Sequence, residues 1–309
     1  MAKIAKKPVQ LTWSRADEFF YDTFRPAAVV KIKSGLTDSG KIVSWDYNIY
    51  GMGGRGAKLF YDVPHHRITI YGELRNGDGM HAFPTGPWRA PHNNTNSFAR
   101  ESHIDVMAAG AKMDPLEFRL KNLTDERMRG VLKAAAKKFG WTPAKGPSGR
   151  GFGIACGSDV NVPVALIAEV EVDRRTARVQ VKRVVCAQDI GLVINPEGAK
   201  LQVEGCITMG LGYALTEEVH FNGGRILDLS FGTYKLPRFS WVPEIETVLI
   251  KADDSPPKGC GEPPIICVGG VIANAIYDAT GARLFQLPMT PERIKEAMAS
   301  RARHAALTT

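Results

Sequence analysis

Between residues 29 and 47 apolar and polar side chains broadly alternate around a turn. The run Val29-Val30-Lys31-Ile32-Lys33 leads to Asp38-Ser39-Gly40-Lys41 and then to Ile42-Val43-Ser44-Trp45-Asp46-Tyr47. Period-two alternation about a turn of this composition predicts a β-hairpin, and residues 9–80 as a whole read mainly as strands. From Ser97 to Met113 the period changes, with Phe98, Ile104, Met107, Ala108 and Ala109 on one helical face. Asp114-Pro115 opens a second helix, Asp as N-cap and Pro at the first helical position. Asp125 to Phe139 reads as a third helix, exposed and rich in Lys and Arg.

The stretch Thr142-Pro143-Ala144-Lys145-Gly146-Pro147-Ser148-Gly149-Arg150-Gly151 has the composition of a linker. It divides the chain into a strand-rich then helical part, 1–145, and a second part, 146–309. The second part opens on two strands, Ala165 to Asp173 and Arg178 to Val185, joined by a short turn. Asn195-Pro196 starts a long apolar helix rich in Gly and Ala, which predicts close packing at some cost in helix propensity. A strand near Glu244–Ile250 precedes the loop Ser255-Pro256-Pro257-Lys258-Gly259-Cys260-Gly261-Glu262-Pro263-Pro264. The following stretch, Ile265 to Ala279, is apolar almost all round and predicts a buried helix. The fold class is α+β, with mixed sheets and packed helices in two subdomains.

Composition narrows the picture. Of the 309 residues 44% are apolar and 23% charged, ordinary values for a globular chain. No apolar run is long enough to span a membrane. The basic start, Met1-Ala2-Lys3-Ile4-Ala5-Lys6-Lys7, lacks the apolar stretch of a secretory signal, so the expected compartment is the cytoplasm, or the periplasm if a partner carries the address. The net charge is +8, but the basic residues are scattered, with no zinc-finger spacing or RNA-binding aromatic motif. Phosphate binding is the better reading than nucleic acid. The five cysteines form no C-x-x-C pair and fit neither a disulfide framework nor an iron–sulfur or zinc site. His65-His66 on a strand would point to opposite faces, which disfavours a shared metal.

Two places carry candidate chemistry. The loop Gly51-Met52-Gly53-Gly54-Arg55-Gly56 has the glycines of a phosphate nest but not the Lys-Ser/Thr ending of a P-loop, and reads as a plain turn. Glu262 is delivered by two nearby glycines, which permit close backbone approach, to the start of a buried helix fixed by two prolines. From the residues alone, capping that helix and catalysis are equal readings of Glu262.

The segment Gly259-Cys260-Gly261-Glu262-Pro263-Pro264, leading into a Gly/Ala-rich helix, resembles the catalytic-base segment of the molybdenum hydroxylases of the xanthine oxidase type. Other stretches match in the same order. They are Pro8 to Arg15 with Arg25-Pro26-Ala27-Ala28, Thr85-Gly86-Pro87-Trp88-Arg89-Ala90, Phe98 to Asp105, Asp114 to Leu120, Asp189 to Pro196, and Gln202-Val203-Glu204-Gly205. The pattern is most similar to the branch that holds the beta subunits of isoquinoline oxidoreductase and aldehyde dehydrogenase. The resemblance implies a molybdenum cofactor-binding domain fold with Glu262 as general base. It also implies that Arg89, Gln202 and the backbone of Gly261 bind the cofactor, with no side chain ligating the metal. Arg89 can alternatively be a surface arginine in a cation–π pair with Trp88, and Gln202 a satisfied core amide. Pro91 stands where xanthine oxidases place a stacking phenylalanine, so aromatic sandwiching of a purine is not expected.

The implied cofactor is molybdopterin cytosine dinucleotide with molybdenum, serving an aldehyde or N-heterocycle dehydrogenase that draws its oxygen from water. The family's Gly-Gly-Gly-Phe-Gly-Gly and Glu-Met-Gly-Gln-Gly cofactor segments do not occur in this sequence. By the resemblance they belong upstream of Met1, either on a partner chain that shares the cofactor or on an earlier piece of one longer polypeptide. A small [2Fe–2S] subunit is expected to take the electrons, with an FAD subunit or a cytochrome as acceptor beyond it. The alternative from another class is a non-catalytic subunit that stabilises the chain holding the cofactor.

Overall fold

The computed structural model describes residues 1–72, 81, 83–142, 147–252 and 255–307, the side chains of 302–307 excepted. The end of the strand-rich stretch at 73–80 and the predicted boundary at 145/146 lie outside the described residues. Two short N-terminal helices, α1 (Ala2–Ala5) and α2 (Arg15–Tyr21), precede the first sheet. The second, where a strand was expected, is set by a Ser14/Asp17 capping box.

The predicted hairpin is present. Strand β1 (Val29–Leu36) pairs antiparallel with β2 (Ile42–Tyr50), Val29 opposite Tyr50, and β2 pairs parallel with β3 (His65–Tyr71). Helix α3 (Asn93–Gly110) starts four residues earlier than expected. Helix α4 (Pro115–Lys121) has the predicted cap, Asp114 accepting from the N–H groups of Leu116 and Glu117. Helix α5 (Glu126–Phe139) corrects the expectation of an exposed helix. It buries Met128, Val131, Leu132, Ala135, Ala136 and Phe139, whose i, i+3, i+4 spacing makes one apolar face behind the charged one.

The second sheet runs β4 (Arg150–Asp159), β5 (Val162–Val172), β6 (Val179–Gln188) and, after further elements, β9 (Glu244–Leu249). The first two pairs are antiparallel and β6 pairs parallel with β9. Strand β4 was not anticipated, because Gly151, Gly153 and Gly157 weaken its strand signal. Those glycines have a packing reason. A Cβ at Gly153 would stand 2.0 Å from the Val271 carbonyl oxygen, so the glycines let a helix lie directly on the strand.

Between β6 and β9 come α6 (Pro196–Leu215), which starts at Asn195-Pro196 as predicted with Asn195 as its cap, and the small ribbon β7 (Phe221–Asn222) with β8 (Arg225–Ile226). The buried helix expected over 265–279 is two helices, α7 (Pro263–Ile266) and α8 (Val268–Thr280), meeting at Cys267. Helix α8 crosses β4 and contributes Val271, Ile272 and Ile276, each almost fully buried. Burial of such a side chain contributes on the order of 1.5–3 kcal/mol. Helix α9 (Pro291–Leu307) closes the described chain. None of the described helices is long and apolar enough to cross a membrane.

An ionic cluster threads the core where α3, α4, β4 and α8 meet. Glu101, 0% exposed, accepts from Arg119 Nε at 3.0 Å, Tyr61 Oη at 3.1 Å and the Cys156 N–H at 3.1 Å. Arg283 and Arg119 share Asp105, at 2.7 and 3.5 Å. Arg100, next to Glu101, reaches out of this cluster to donate to the Gly56 carbonyl at 2.5 Å. That bond ties the core to the loop that follows β2.

Candidate functional site

Two distant chain segments, the loop with Arg55 and the stretch before α3, bond the Glu262 carboxylate. Glu262 occupies the N-cap position of α7 yet makes no side-chain capping bond, which removes the capping reading. Its Oε1 accepts from the Ala90 N–H at 2.7 Å and its Oε2 from Arg55 Nη2 at 2.7 Å. The side chain stays 35% exposed. Burial pushes the Glu262 carboxyl up. The hydrogen bonds from Arg55 and Ala90 and the charges of Arg55 and Arg89 outweigh that and hold it below the usual carboxylate range. At neutral pH it is ionised and able to accept a proton.

The predicted cofactor residues are brought together beside it. Arg89 Nε donates to the Gly261 carbonyl at 2.5 Å, and Arg89 Nη2 to Gln202 Oε1 at 2.8 Å. Cys206, whose thiol burial first of all pushes up to about 11, donates its S–H to the same Gly261 carbonyl at 3.2 Å. A Cβ on Gly261 would sit 2.9 Å from Gln202 Oε1, so any larger residue there would push the exposed Gln202 side chain aside. Gln202 is exposed rather than a core amide. Trp88 takes Arg25, not Arg89, over its ring at 5.5 Å, which corrects the cation–π alternative for Arg89.

The backbone just before α3 is bent sharply to present the Ala90 N–H. Ala90 and His92, on either side of Pro91, have φ of 55° and 63°. Non-glycine residues in this region are uncommon and cost roughly 1–3 kcal/mol each, a cost that concentrates at functional sites. His92 Nε2 is buried without a hydrogen-bond partner among the described residues. Burial, and after it the Arg55 charge, press its imidazole toward the neutral form.

Arg55 and Asp159 are the residues that sequence reasoning missed. The Gly51–Gly56 loop, read as a plain turn, carries Arg55 to Glu262 and is fastened by Asn96 Nδ2, which donates to the Arg55 carbonyl at 2.9 Å. Its one signal was an arginine among glycines. Asp159 ends β4 at a two-residue turn whose central residues, Val160 and Asn161, both have positive φ, 45° and 61°. That conformation matches the twist of the hairpin. The partly exposed guanidinium of Arg89, the Gln202 amide and the unshielded Gly261 backbone form a cradle that suits a polar, anionic group. Among the described residues no cluster of His, Cys, Asp and Glu has metal-binding geometry. A surface groove lined by Arg150, Arg178, Leu215 and Trp241 shares none of these residues.

The fold thus sets a polar cradle beside a partly exposed carboxylate. Two family models described as molybdopterin cofactor-binding domains match residues 1–123 and 106–243. The chain is 31% identical to a nicotinate dehydrogenase subunit of Pseudomonas putida, over 96% of this chain and 28% of that protein. It is 30% identical to the beta subunit of isoquinoline 1-oxidoreductase from Brevundimonas diminuta, over 92% of this chain and 39% of the relative. Quinoline 2-oxidoreductase from Pseudomonas putida 86 shares the fold at a TM-score of 0.84, with 13% identity, over 96% of this chain and 65% of that one. The chain belongs to the molybdenum hydroxylase (xanthine oxidase) family, in its molybdenum-cofactor-binding part. It spans less than half the length of these two curated relatives.

Proposed function

We propose that this chain supplies the general base and half of the cofactor cradle of a molybdenum-dependent aldehyde or N-heterocycle dehydrogenase. The observation that carries the reading is Glu262, ionised and gripped on both oxygens, beside the Arg89–Gly261–Gln202 cluster. When bound, the molybdenum cofactor supplies two-electron oxidation and oxygen transfer from water. Arg89 and Gln202 offer hydrogen bonds to it, and Gly261 admits it close to the backbone. Glu262 takes up one proton at its carboxylate as the substrate is hydroxylated and later returns it to solvent, for which its partial exposure leaves a path.

The finer assignments follow from the same reading. The cofactor is the cytosine dinucleotide form, completed by a partner chain carrying the Gly-rich segments. Electrons pass to [2Fe–2S] clusters in a small subunit, and from there to an FAD subunit or a cytochrome. The assembly works in the cytoplasm, or in the periplasm with an exported partner. Residues 1–145 and 146–309 form the two parts of the cofactor-binding region. Relatives named for nicotinate and isoquinoline support an N-heterocycle, and one named as a membrane-bound aldehyde dehydrogenase supports an aldehyde. The test is co-purification of the chain with its natural neighbours, followed by molybdenum and iron analysis. Stoichiometric molybdenum, with iron in a second subunit, is expected. Stoichiometric molybdenum in the chain expressed alone would overturn the shared cradle, and none in the purified assembly would overturn the function.

A further inference from the structure

Arg55 is fastened from behind before it reaches Glu262. Its Nε and Nη2 donate to the two oxygens of Asp159 at 3.0 and 2.7 Å. Asp159 is 3% exposed, and its Oδ1 also accepts from Asn93 Nδ2 at 2.8 Å. A buried carboxylate met by a guanidinium fork and a third donor is a rigid anchor. An Nη2 group carries two protons, so the second is left for Glu262 Oε2 at 2.7 Å. The arginine is thus a fixed donor and not a mobile surface side chain.

We propose that Arg55, anchored by Asp159, is the positioning residue of this site: it aims the Glu262 carboxylate and holds a fixed donor and positive charge against it. The proposal rests on the reading of Glu262 as the base. A donor and a positive charge at this distance favour the ionised form. The other ionisable groups near Glu262 are Arg89 before α3, Cys206 on α6, Cys260 on its own loop, and His92 beside Arg55. Arg89 acts in the same sense as Arg55, and the two cysteines are free thiols. Asp159 acts in the opposite sense, because it draws on the charge that Arg55 offers to Glu262.

Two substitutions therefore shift the site in opposite directions. Arg55→Gln removes the charge, and the acidic limb of the rate–pH profile moves up by roughly one unit. On that limb the rate falls about tenfold, since each unit is a tenfold change in ionised fraction. Asp159→Asn removes the negative charge behind Arg55, so the limb moves down by about half a unit. It also breaks one arm of the fork, because the amide N–H faces an Arg55 N–H, so the plateau rate falls. Arg55→Lys keeps the charge without the fork, so the limb stays near its original position while the plateau rate falls.

The experiment is the pH dependence of substrate-driven reduction in the assembled enzyme, at matched molybdenum content and melting temperature. Infrared titration of the same variants, with Glu262→Gln subtracted to assign the carboxyl band, reads the shift without turnover. Opposite shifts in the two variants, in rate and in band, are the expected result. A limb and band that stay in place in Arg55→Gln, or that move the same way in both, overturn the proposal. Full turnover in Glu262→Gln overturns the base assignment instead, and the infrared arm still decides whether Arg55 sets the ionisation.

Discussion

Glu101 and Glu262 are both met by arginines, but one is sealed in the core and the other opens to solvent. Glu101 is 0% exposed and holds Arg119, Tyr61 and the Cys156 N–H, while Arg119 and Arg283 turn to Asp105. Every partner there is itself buried or nearly so. Glu262 has the same kinds of partners, an arginine and a backbone N–H, but keeps 35% of its side-chain surface. Chemical identity is thus shared and access is not. A buried ion pair is weak evidence for stability, yet removing one member leaves an uncompensated charge. Glu101 fits the role of a strut, and through Arg100 and the Gly56 carbonyl its neighbourhood fixes the loop that delivers Arg55.

The contrast can be broken most directly at Glu262. Glu262→Gln is nearly isosteric, so assembly and cofactor content should survive. Removal of a general base costs roughly 10²- to 10⁴-fold in rate. The reductive half-reaction per molybdenum, wild type against variant, checks this. A loss under about threefold would return Glu262 to a structural part.

The reciprocal substitution, Glu101→Ala, should act on folding and not on chemistry. It leaves Arg119 at 0% exposure without its glutamate. Loss of one partner of a buried pair typically costs about 3–5 kcal/mol. Denaturant unfolding measures it, and a variant as stable as wild type would show that the buried network is not the strut inferred here.

Arg89→Ala sharpens the comparison within the site. Arg89 binds the Gly261 carbonyl and Gln202 Oε1 from a partly exposed position. Molybdenum occupancy should drop several-fold while the melting temperature barely moves, since exposed polar contacts contribute about 0–1 kcal/mol. Equal losses of occupancy and stability would instead make Arg89 a packing residue.

The smallest effect is in acid. The Glu262 carboxyl sits below its ordinary value of 4.5, burial notwithstanding, because Arg55, Ala90 and Arg89 favour its charge. A depressed folded-state value means stability that is fully present above the unfolded value and lost as pH falls through the folded one. The stability gap between wild type and Glu262→Gln should therefore be constant near neutral pH and close below about pH 4.5. Solvent screening at a partly exposed pair keeps it under about 1 kcal/mol. Melting curves across pH 3 to 7 read it, and a gap that widens in acid contradicts the assigned direction.

Local signals in the sequence settled a good part of this molecule. The β1–β2 hairpin, the Asp114 cap, the start of α6 at Asn195-Pro196, and strands β5, β6 and β9 were each legible because a turn, a cap or a two-residue period acts over a few neighbours. Glu262 stood out locally on its glycine–proline loop, but its role, and Gly261, Arg89 and Gln202 with it, came from the resemblance of short motifs to the molybdenum hydroxylases. Strand β4 was missed because its glycines are chosen by the helix that lies on them, not by the strand. Helix α5 was misjudged because charge density hid its apolar face.

What only the tertiary structure decided is the company that Glu262 keeps. Arg55 meets it across 207 positions of sequence and meets Asp159 across 104, and no periodicity or motif records pairings at such separations. Nor does local sequence reveal that one glutamate is sealed while another is open, since exposure is set by which helices and strands pack over a residue. The residue types that can do the chemistry were written locally. Their distances, their charge partners and their access to solvent came from the fold, because those depend on segments brought together only when the core closes.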